Sequence, residues 1–292
     1  MTTVLFVLLG VFAAVFAVVW LGAIQHARRT EAIAPSSGQL ALGFVTNFFD
    51  SLGVGNFAPT AAVFRLTRMV PDALIPGTMN VGHTLPVVLM AFLFISTVEV
   101  EPWTLGSMIA AAVLGAWFGA GIVARLPRRA VQIGMGAALL TAAVLMASGM
   151  LRGAPVGGTS LGLTPGRLVT ASLVSVLLGA LNTLGVGLYA PCMILVALLG
   201  MDPKAAFPIM MGSCAFLMPV GSARFVREGA YRLRPALGLT LGGLPAVLIA
   251  VYLVRELSLD LLRWLVVSVA SYTAVLMLSG ALRRTISADC ED

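Results

Sequence analysis

The chain has 292 residues, of which 59% are hydrophobic and only 10% are charged. Soluble domains carry about 25% charged residues, so this composition excludes a soluble globular protein and indicates an integral membrane protein. The net charge of +6 reflects the tendency of Lys and Arg to collect on the cytoplasmic side of a membrane, and we expect no nucleic-acid partner. Three cysteines, an odd number, disfavour a disulfide framework.

Seven apolar runs are long enough for membrane-spanning helices, which need about 20 residues each. The first run has no basic residue before it and is too long for the core of a signal peptide, so we expect a retained helix with its N-terminus outside. Two further segments, about 39–68 and 166–200, are apolar but interrupted by glycine-rich breaks. The predicted fold is an all-α polytopic membrane protein with spans near 3–24, 72–98, 104–125, 129–150, 204–223, 236–257 and 260–281.

The two interrupted segments are copies of one another. Residues 50–59 read Asp-Ser-Leu-Gly-Val-Gly-Asn-Phe-Ala-Pro, and residues 182–191, which lie 132 positions later, read Asn-Thr-Leu-Gly-Val-Gly-Leu-Tyr-Ala-Pro. The match continues without a gap and gives 11 identities over the 27 positions from 50 to 76. Interrupted apolar segments in corresponding positions of two halves are the best pointer in a sequence to the binding site of a transporter.

The basic residues favour a re-entrant hairpin for each interrupted segment. With two hairpins and an outside N-terminus, 13 of the 18 Lys and Arg residues lie inside; single crossings leave 10 inside and 8 outside. The hairpin topology also makes the second repeat begin on the opposite side of the membrane, so the repeats are inverted. We predict repeat one at 1–127, repeat two at 128–257, and an extra helix and tail at 258–292 that end in the cytoplasm.

Each glycine break predicts a helix N-terminus inside the membrane. Glycine permits tight turns and close approach of a ligand, and the proline of each copy suits the first turn of a helix, so the second hairpin arms should start near 56–59 and 188–191. Free N–H groups and a partial positive charge at two such ends form an anion site without a basic residue. The predicted substrate-binding residues are Ser51, Gly53, Gly55, Asn56, Asn182, Thr183, Gly185, Gly187 and Tyr189.

Asp50 and His83 are the candidate proton-coupling residues. A carboxylate at the centre of a membrane helix costs about 2.5–3.5 kcal/mol, and Asp50 is the acidic residue predicted to lie deepest. Burial and the C-terminal end of a half-helix both disfavour its charged form. His83 lies inside the 72–98 run and is the candidate relay. The structural alternatives are that Asp50 braces the glycine turn and that His83 is a hydrogen-bonding strut between helices.

The residues around the first glycine break resemble those of a known family. The stretch Gly-Phe…Phe-Phe-Asp-Ser-Leu-Gly-Val-Gly-Asn-Phe and its partial repeat in the second half are similar to the TauE/SafE sulfite-exporter family, and the resemblance covers nearly the whole chain. It implies transport of small sulfur-containing anions or organosulfonates, of the sulfite, sulfoacetate, taurine or thiosulfate class, across the bacterial inner membrane. The specific anion, the direction and the coupling ion stay open.

Two other functions stay open beside a proton-coupled secondary transporter working by alternating access. Cys192 follows Pro191 at a predicted helix N-terminus, where thiols are activated, so one alternative is a membrane sulfur-relay protein; an uncoupled anion channel is the other. The sequence contains no metal-ligand cluster, Walker loop or hydrolase triad, so we expect neither an enzyme nor a cofactor. The expected partners are a small anion and the lipid bilayer, with the oligomeric state open and a homodimer among the alternatives.

The topology leads to a first prediction. Single cysteines, introduced into a chain whose three native cysteines have been replaced, should be labelled from the cytoplasmic side in the 65–71 loop and from the outside in the 200–204 loop. The reason is the bias of Lys and Arg toward the cytoplasm. Labelling of both loops from the same face, or from the reverse faces, would contradict the inverted repeat.

Overall fold

The computed structural model describes residues 2–29, 33–123, 127–153, 157–182 and 188–288. These ranges are helical and contain no extended strand, and seven of their helical segments are long and apolar enough to cross a membrane. The prediction of an all-α polytopic membrane protein is therefore confirmed. The helices are α1 (Thr2–Ala27), α2 (Ser37–Ser51), α3 (Phe57–Thr67), α4 (Ile75–Thr97), α5 (Pro102–Val123), α6 (Arg128–Leu151), α7 (Pro165–Asn182), α8 (Tyr189–Leu198), α9 (Ala206–Arg227), α10 (Leu233–Glu256) and α11 (Leu259–Ala288).

The helix lengths differ from the prediction in the second interrupted segment. Helices α2, α3 and α8 have 15, 11 and 10 residues, which is too short to span a bilayer. Helix α7 has 18 residues and is among the seven segments long enough to cross. At 1.5 Å per residue its length is about 27 Å, close to the thickness of the hydrocarbon core of roughly 30 Å. The first arm of the second copy is thus longer than a half-depth arm.

The break in the first copy has the local structure that its motif predicts. Helix α2 begins with a capping box, in which the Ser36 hydroxyl accepts from the backbone N–H of Gln39 and the Gln39 side chain accepts from the N–H of Ser36. Between α2 and α3, Gly53 and Gly55 have φ angles of 90° and 87°, in the region that favours glycine. Helix α8 begins 132 residues after α3 begins, so both second arms start where the sequence predicts.

The chain forms two compact units that alternate along the sequence. Unit 1 comprises Met1–Val98 and Met211–Glu256, and unit 2 comprises Glu99–Met210 and Leu257–Asp292. Each unit combines segments of both predicted repeats, since the last helix of repeat two belongs to unit 1 and the last helix of repeat one to unit 2. The repeat boundaries themselves stay a prediction.

Among the described helices, each unit has a pair whose backbones are in direct contact. In unit 1, α2 packs on α10, and a Cβ atom added to Gly242 would overlap the backbone of Leu40. In unit 2, α7 packs on α5, and a Cβ atom added to Gly115 would overlap the backbone of Val176. Small residues that let backbones approach closely are typical of helix pairs in membranes, where van der Waals packing replaces the hydrophobic effect.

The two helix pairs correspond to one another under the duplication. The glycine of α10 that meets the backbone N of Phe44 is Gly242, and the glycine of α5 that meets Val176 is Gly115. Val176 lies 132 positions after Phe44, and Gly242 lies 127 positions after Gly115. A glycine of the last helix of each predicted repeat therefore makes the same type of close contact, and the two glycines are related by an offset of 127 residues instead of 132.

This packing leads to a prediction on stability. Gly242→Ala should lower the thermal unfolding temperature of the purified protein in detergent, because overpacking of a close contact costs about 1–3 kcal/mol. The matched control is Gly22→Ala in α1, where an added Cβ meets nothing within 4 Å. That control should be neutral or stabilising, since alanine is favoured over glycine in a helix by about 1 kcal/mol. Equal unfolding temperatures for the two variants would contradict the close approach of α10 to α2.

Candidate functional site

Buried polar side chains surround the glycine break in unit 1. They come from the end of α2, the start of α3 and the middle of α4, and each is at most 6% exposed. Polar groups buried in this way must be satisfied by one another, because burial without a hydrogen bond costs several kcal/mol. We call them the break cluster, and its members are Asn47, Asp50, Ser51, Asn56, Thr60 and His83.

Asp50 joins the two ends of the break. Its Oδ2 accepts a hydrogen bond from Nδ2 of Asn56 at 2.9 Å, and its backbone carbonyl accepts one from the N–H of Gly53 at 2.8 Å. The carboxylate thus holds the residue that precedes α3 against the last turn of α2. This contact is the structural brace that the sequence left as the alternative for Asp50, and it places the carboxylate beside the start of α3.

His83 is fully buried and has a hydrogen-bond partner at each ring nitrogen. Nδ1 lies 3.1 Å from Oδ1 of Asn47, and Nε2 lies 3.1 Å from Oγ1 of Thr60. The Asn47 amide has a fixed orientation, since its Nδ2 donates to the carbonyls of Gly43 and Leu239 at 2.7 and 3.4 Å. Its Oδ1 can only accept, so Nδ1 of His83 carries a proton. The ring thereby connects α4 to both arms of the break.

Asn47 and Thr60 were not predicted as site residues. Asn47 lies four residues before Ser51, whose hydroxyl donates to the Asn47 carbonyl at 2.9 Å. Thr60 lies four residues after Asn56, whose carbonyl is 2.7 Å from the Thr60 hydroxyl. Residues four apart lie on one face of a helix, so this spacing from Ser51 and Asn56 was the signal that could have identified both.

The predicted residues of the second copy are only partly described. Thr183, Gly185 and Gly187 lie outside the described residues. Asn182 is the last residue of α7 and Tyr189 is the first residue of α8, and both are partly buried. The second break is therefore known from its two ends, which belong to unit 2.

Hydrogen-bonding side chains of the break cluster are replaced in the second copy. At the offset of 132 residues, the positions equivalent to Asn47, Asn56, Thr60 and His83 are occupied by Gly179, Leu188, Cys192 and Ala215. Cys192 is 3% exposed and takes the place of a hydroxyl that bonds a histidine in the first copy. A buried thiol of this kind packs as a small hydrophobe, whereas reactive cysteines are partly exposed. These four side chains of the first copy therefore have no counterparts of the same type in the second copy.

No group of three or more His, Cys, Asp or Glu side chains that could hold a metal ion occurs in the described part of the chain. A groove of about 450 Å³ lies between α5 and α7 in unit 2, and its lining is apolar apart from Ser107 and Ser172. None of the predicted site residues lines it. The break cluster is therefore the better candidate for a functional site.

Comparison of the chain with protein-family models, with curated proteins and with solved structures found no match. The resemblance to sulfite exporters is therefore carried by the motif residues alone.

The geometry of the break gives a prediction for Gly55. A Cβ atom added there would meet nothing within 4 Å, but φ is 87°, so backbone strain and not a steric clash opposes a substitution. Gly55→Val should destabilise the protein by roughly 1–2 kcal/mol, and Gly55→Asn should cost less, because asparagine adopts positive φ more readily. Thermal unfolding of the two purified variants compares them directly. A valine variant as stable as the asparagine variant would contradict a backbone requirement at Gly55.

Proposed function

We propose that the protein is a proton-coupled secondary transporter of a small sulfur-containing anion or organosulfonate in the bacterial inner membrane. The observation that carries the proposal is the break cluster, in which an aspartate and a histidine are buried at a glycine break. Ionisable residues inside a membrane protein are costly and typically mark pathways for substrates, ions or protons. The resemblance of the motif to sulfite exporters supports the class of substrate.

The start of α3 is the proposed contact for the anion in unit 1. Asn56 is the N-cap residue of α3, but its side chain makes no capping hydrogen bond and binds Asp50 instead. The next two residues, Phe57 and Ala58, are exposed. The first N–H groups of a helix have no partner within the helix and carry a partial positive charge, so oxygen atoms of a sulfite or sulfonate group can accept from them. A basic side chain is not required for such a site.

The proposed coupling follows from the position of Asp50. Its carboxylate is bonded to the N-cap residue of α3, so in the charged form it places a negative charge beside the anion contact. A proton taken up by the break cluster cancels that charge and favours anion binding, and an anion that is bound favours proton uptake by the same amount. Proton and anion would therefore cross the membrane together in one cycle of alternating access.

The substrate class is tested by thermal shift on the purified protein. Sulfite, sulfate, thiosulfate, taurine and sulfoacetate are added separately, with chloride at equal ionic strength as the control. A ligand that binds only the folded protein at 100 times its Kd stabilises it by about 2.7 kcal/mol, which is a measurable rise in unfolding temperature. A rise with at least one sulfur anion, and none with chloride, supports the proposal. No rise with any of the five would count against the substrate class.

Asp50→Asn gives the prediction on coupling. Asparagine is nearly isosteric, can still accept from Asn56 through its Oδ1, and is the residue of the second copy at this position. In proteoliposomes the variant should keep anion exchange but lose accumulation driven by a pH gradient, because without the carboxylate the break cluster has no negative charge for a proton to cancel. Cys192→Ser is the matched control: it should transport like the parent, and a loss there would favour a thiol relay. Parent-like accumulation by Asp50→Asn would contradict a coupling role for Asp50.

A further inference from the structure

The hydroxyl of Thr60 lies within hydrogen-bond distance of two groups in the break cluster. It lies 3.1 Å from Nε2 of His83 and 2.7 Å from the backbone carbonyl of Asn56. A hydroxyl has one proton to donate and two lone pairs that accept. Since Nδ1 of His83 already donates to Asn47, the state of Nε2 decides what the Thr60 hydroxyl does.

Both protonation states of His83 can be satisfied by a rotation of this one hydroxyl. When Nε2 is unprotonated it accepts, and Thr60 donates to it; the Asn56 carbonyl then keeps the backbone N–H of Thr60 as a donor at 3.2 Å. When Nε2 is protonated it donates to Oγ1, and the Thr60 hydroxyl turns to the Asn56 carbonyl. Neither state leaves a buried polar atom of these residues without a partner, so the change of protonation state costs no hydrogen bond.

Among the described ionisable groups on the helices that pack against α4, one buried acid lies near His83. In the described part of the chain, the elements that pack against α4 carry one buried acid, Asp50, which is connected to His83 through Asn56 and Thr60. The thiol of Cys214 on α9 is also buried. The other ionisable side chains on these elements are exposed: His26, Arg65, Asp72, Arg224, Arg227, Arg234, Tyr252, Arg255 and Glu256.

We infer that the proton of the transport cycle resides on Nε2 of His83, with Asp50 as its counter-charge and with Thr60 as the positioning residue that accommodates both states. This inference rests on the proposed function and assigns its coupling site. Proton uptake makes the pair of His83 and Asp50 neutral overall. It also turns the Thr60 hydroxyl toward the carbonyl of Asn56, the N-cap residue of α3. Proton uptake therefore changes a hydrogen bond at the start of α3.

The experiment is ¹⁵N NMR of histidine in the protein reconstituted in nanodiscs. The chain has two histidines, and His26 is exposed at the end of α1, so a His26→Gln background leaves the signal of His83 alone. At high pH the ring should carry its proton on Nδ1 with Nε2 bare, and acidification should protonate Nε2. A neutral ring with its proton on Nε2, or a ring that takes up no proton before the protein unfolds in acid, overturns the inference.

Two variants of Thr60 separate positioning from packing. Thr60→Ser keeps the hydroxyl and should titrate like the parent. Thr60→Val keeps the shape but leaves the protonated Nε2 without an acceptor. A hydrogen bond to a charged group stabilises more than one to a neutral group, so proton uptake should need a pH lower by about one unit. An unchanged titration in Thr60→Val overturns the role of Thr60.

Transport assays on the parent, on Thr60→Val and on a further variant, His83→Gln, keep the two proposals distinct. If the NMR results are as expected but no sulfur anion is transported, the proposed function fails and the proton site stands. If the anion is transported with parent-like proton coupling in both Thr60→Val and His83→Gln, the proton site fails and the proposed function stands.

Discussion

Polar groups buried in an apolar environment have no water to bond to, and this constraint governs the break between α2 and α3. The break meets it locally. The backbone N–H groups of Gly53 and Val54 donate to the carbonyls of Asp50 and Phe49, and the amide of Asn56 closes the loop onto the Asp50 side chain. Two positive φ angles make this path possible. A chain that must break inside an apolar environment can thus satisfy most of the break from its own last helical turn.

The break cluster also depends on the packing of α10. Asn47 donates to the carbonyl of Leu239, which requires the α2 and α10 backbones to approach closely. An added Cβ at Gly243 would collide with the Asn47 side chain, and one at Gly43 would lie 2.7 Å from the Leu239 carbonyl oxygen. Because Asn47 in turn orients the imidazole of His83, the glycines of this contact fix a hydrogen-bond pattern several residues away. The close packing of α2 on α10 and the hydrogen bonds of Asn47 and His83 therefore depend on one another.

The sequence predicted those features of the structure that depend on local residue patterns. Hydropathy located the long helices, and the glycine–proline motif located the starts of α3 and α8. The polar residues of the motif gave Asp50, Ser51 and Asn56, and a histidine inside an apolar run gave His83. The sequence did not predict the pairing of α2 with α10, because the partner of a helix is decided by tertiary contacts that leave no periodic signal in either segment. Asn47 and Thr60 lie one helical turn from Ser51 and Asn56, and this spacing could have identified them; their contacts with His83 on another helix come from the tertiary packing. The hairpin in the second copy was inferred from the distribution of Lys and Arg, and with α7 at 18 residues it stays a prediction.

The hydrogen bond from Asn47 to Leu239 joins residues 192 positions apart, and this separation has a consequence for how the protein is made. Ribosomes add about 5–20 residues per second, so α2 enters the membrane roughly 10–40 seconds before its partner helix exists. During that interval the amide of Asn47 and the glycine surface of α2 lack their contacts with α10. The packing of α2 is therefore completed only when α10, nearly the last helix of the chain, has been synthesised. A chain cut before α10 would leave the Asn47 amide without its bond to Leu239 and the surface at Gly43 uncovered.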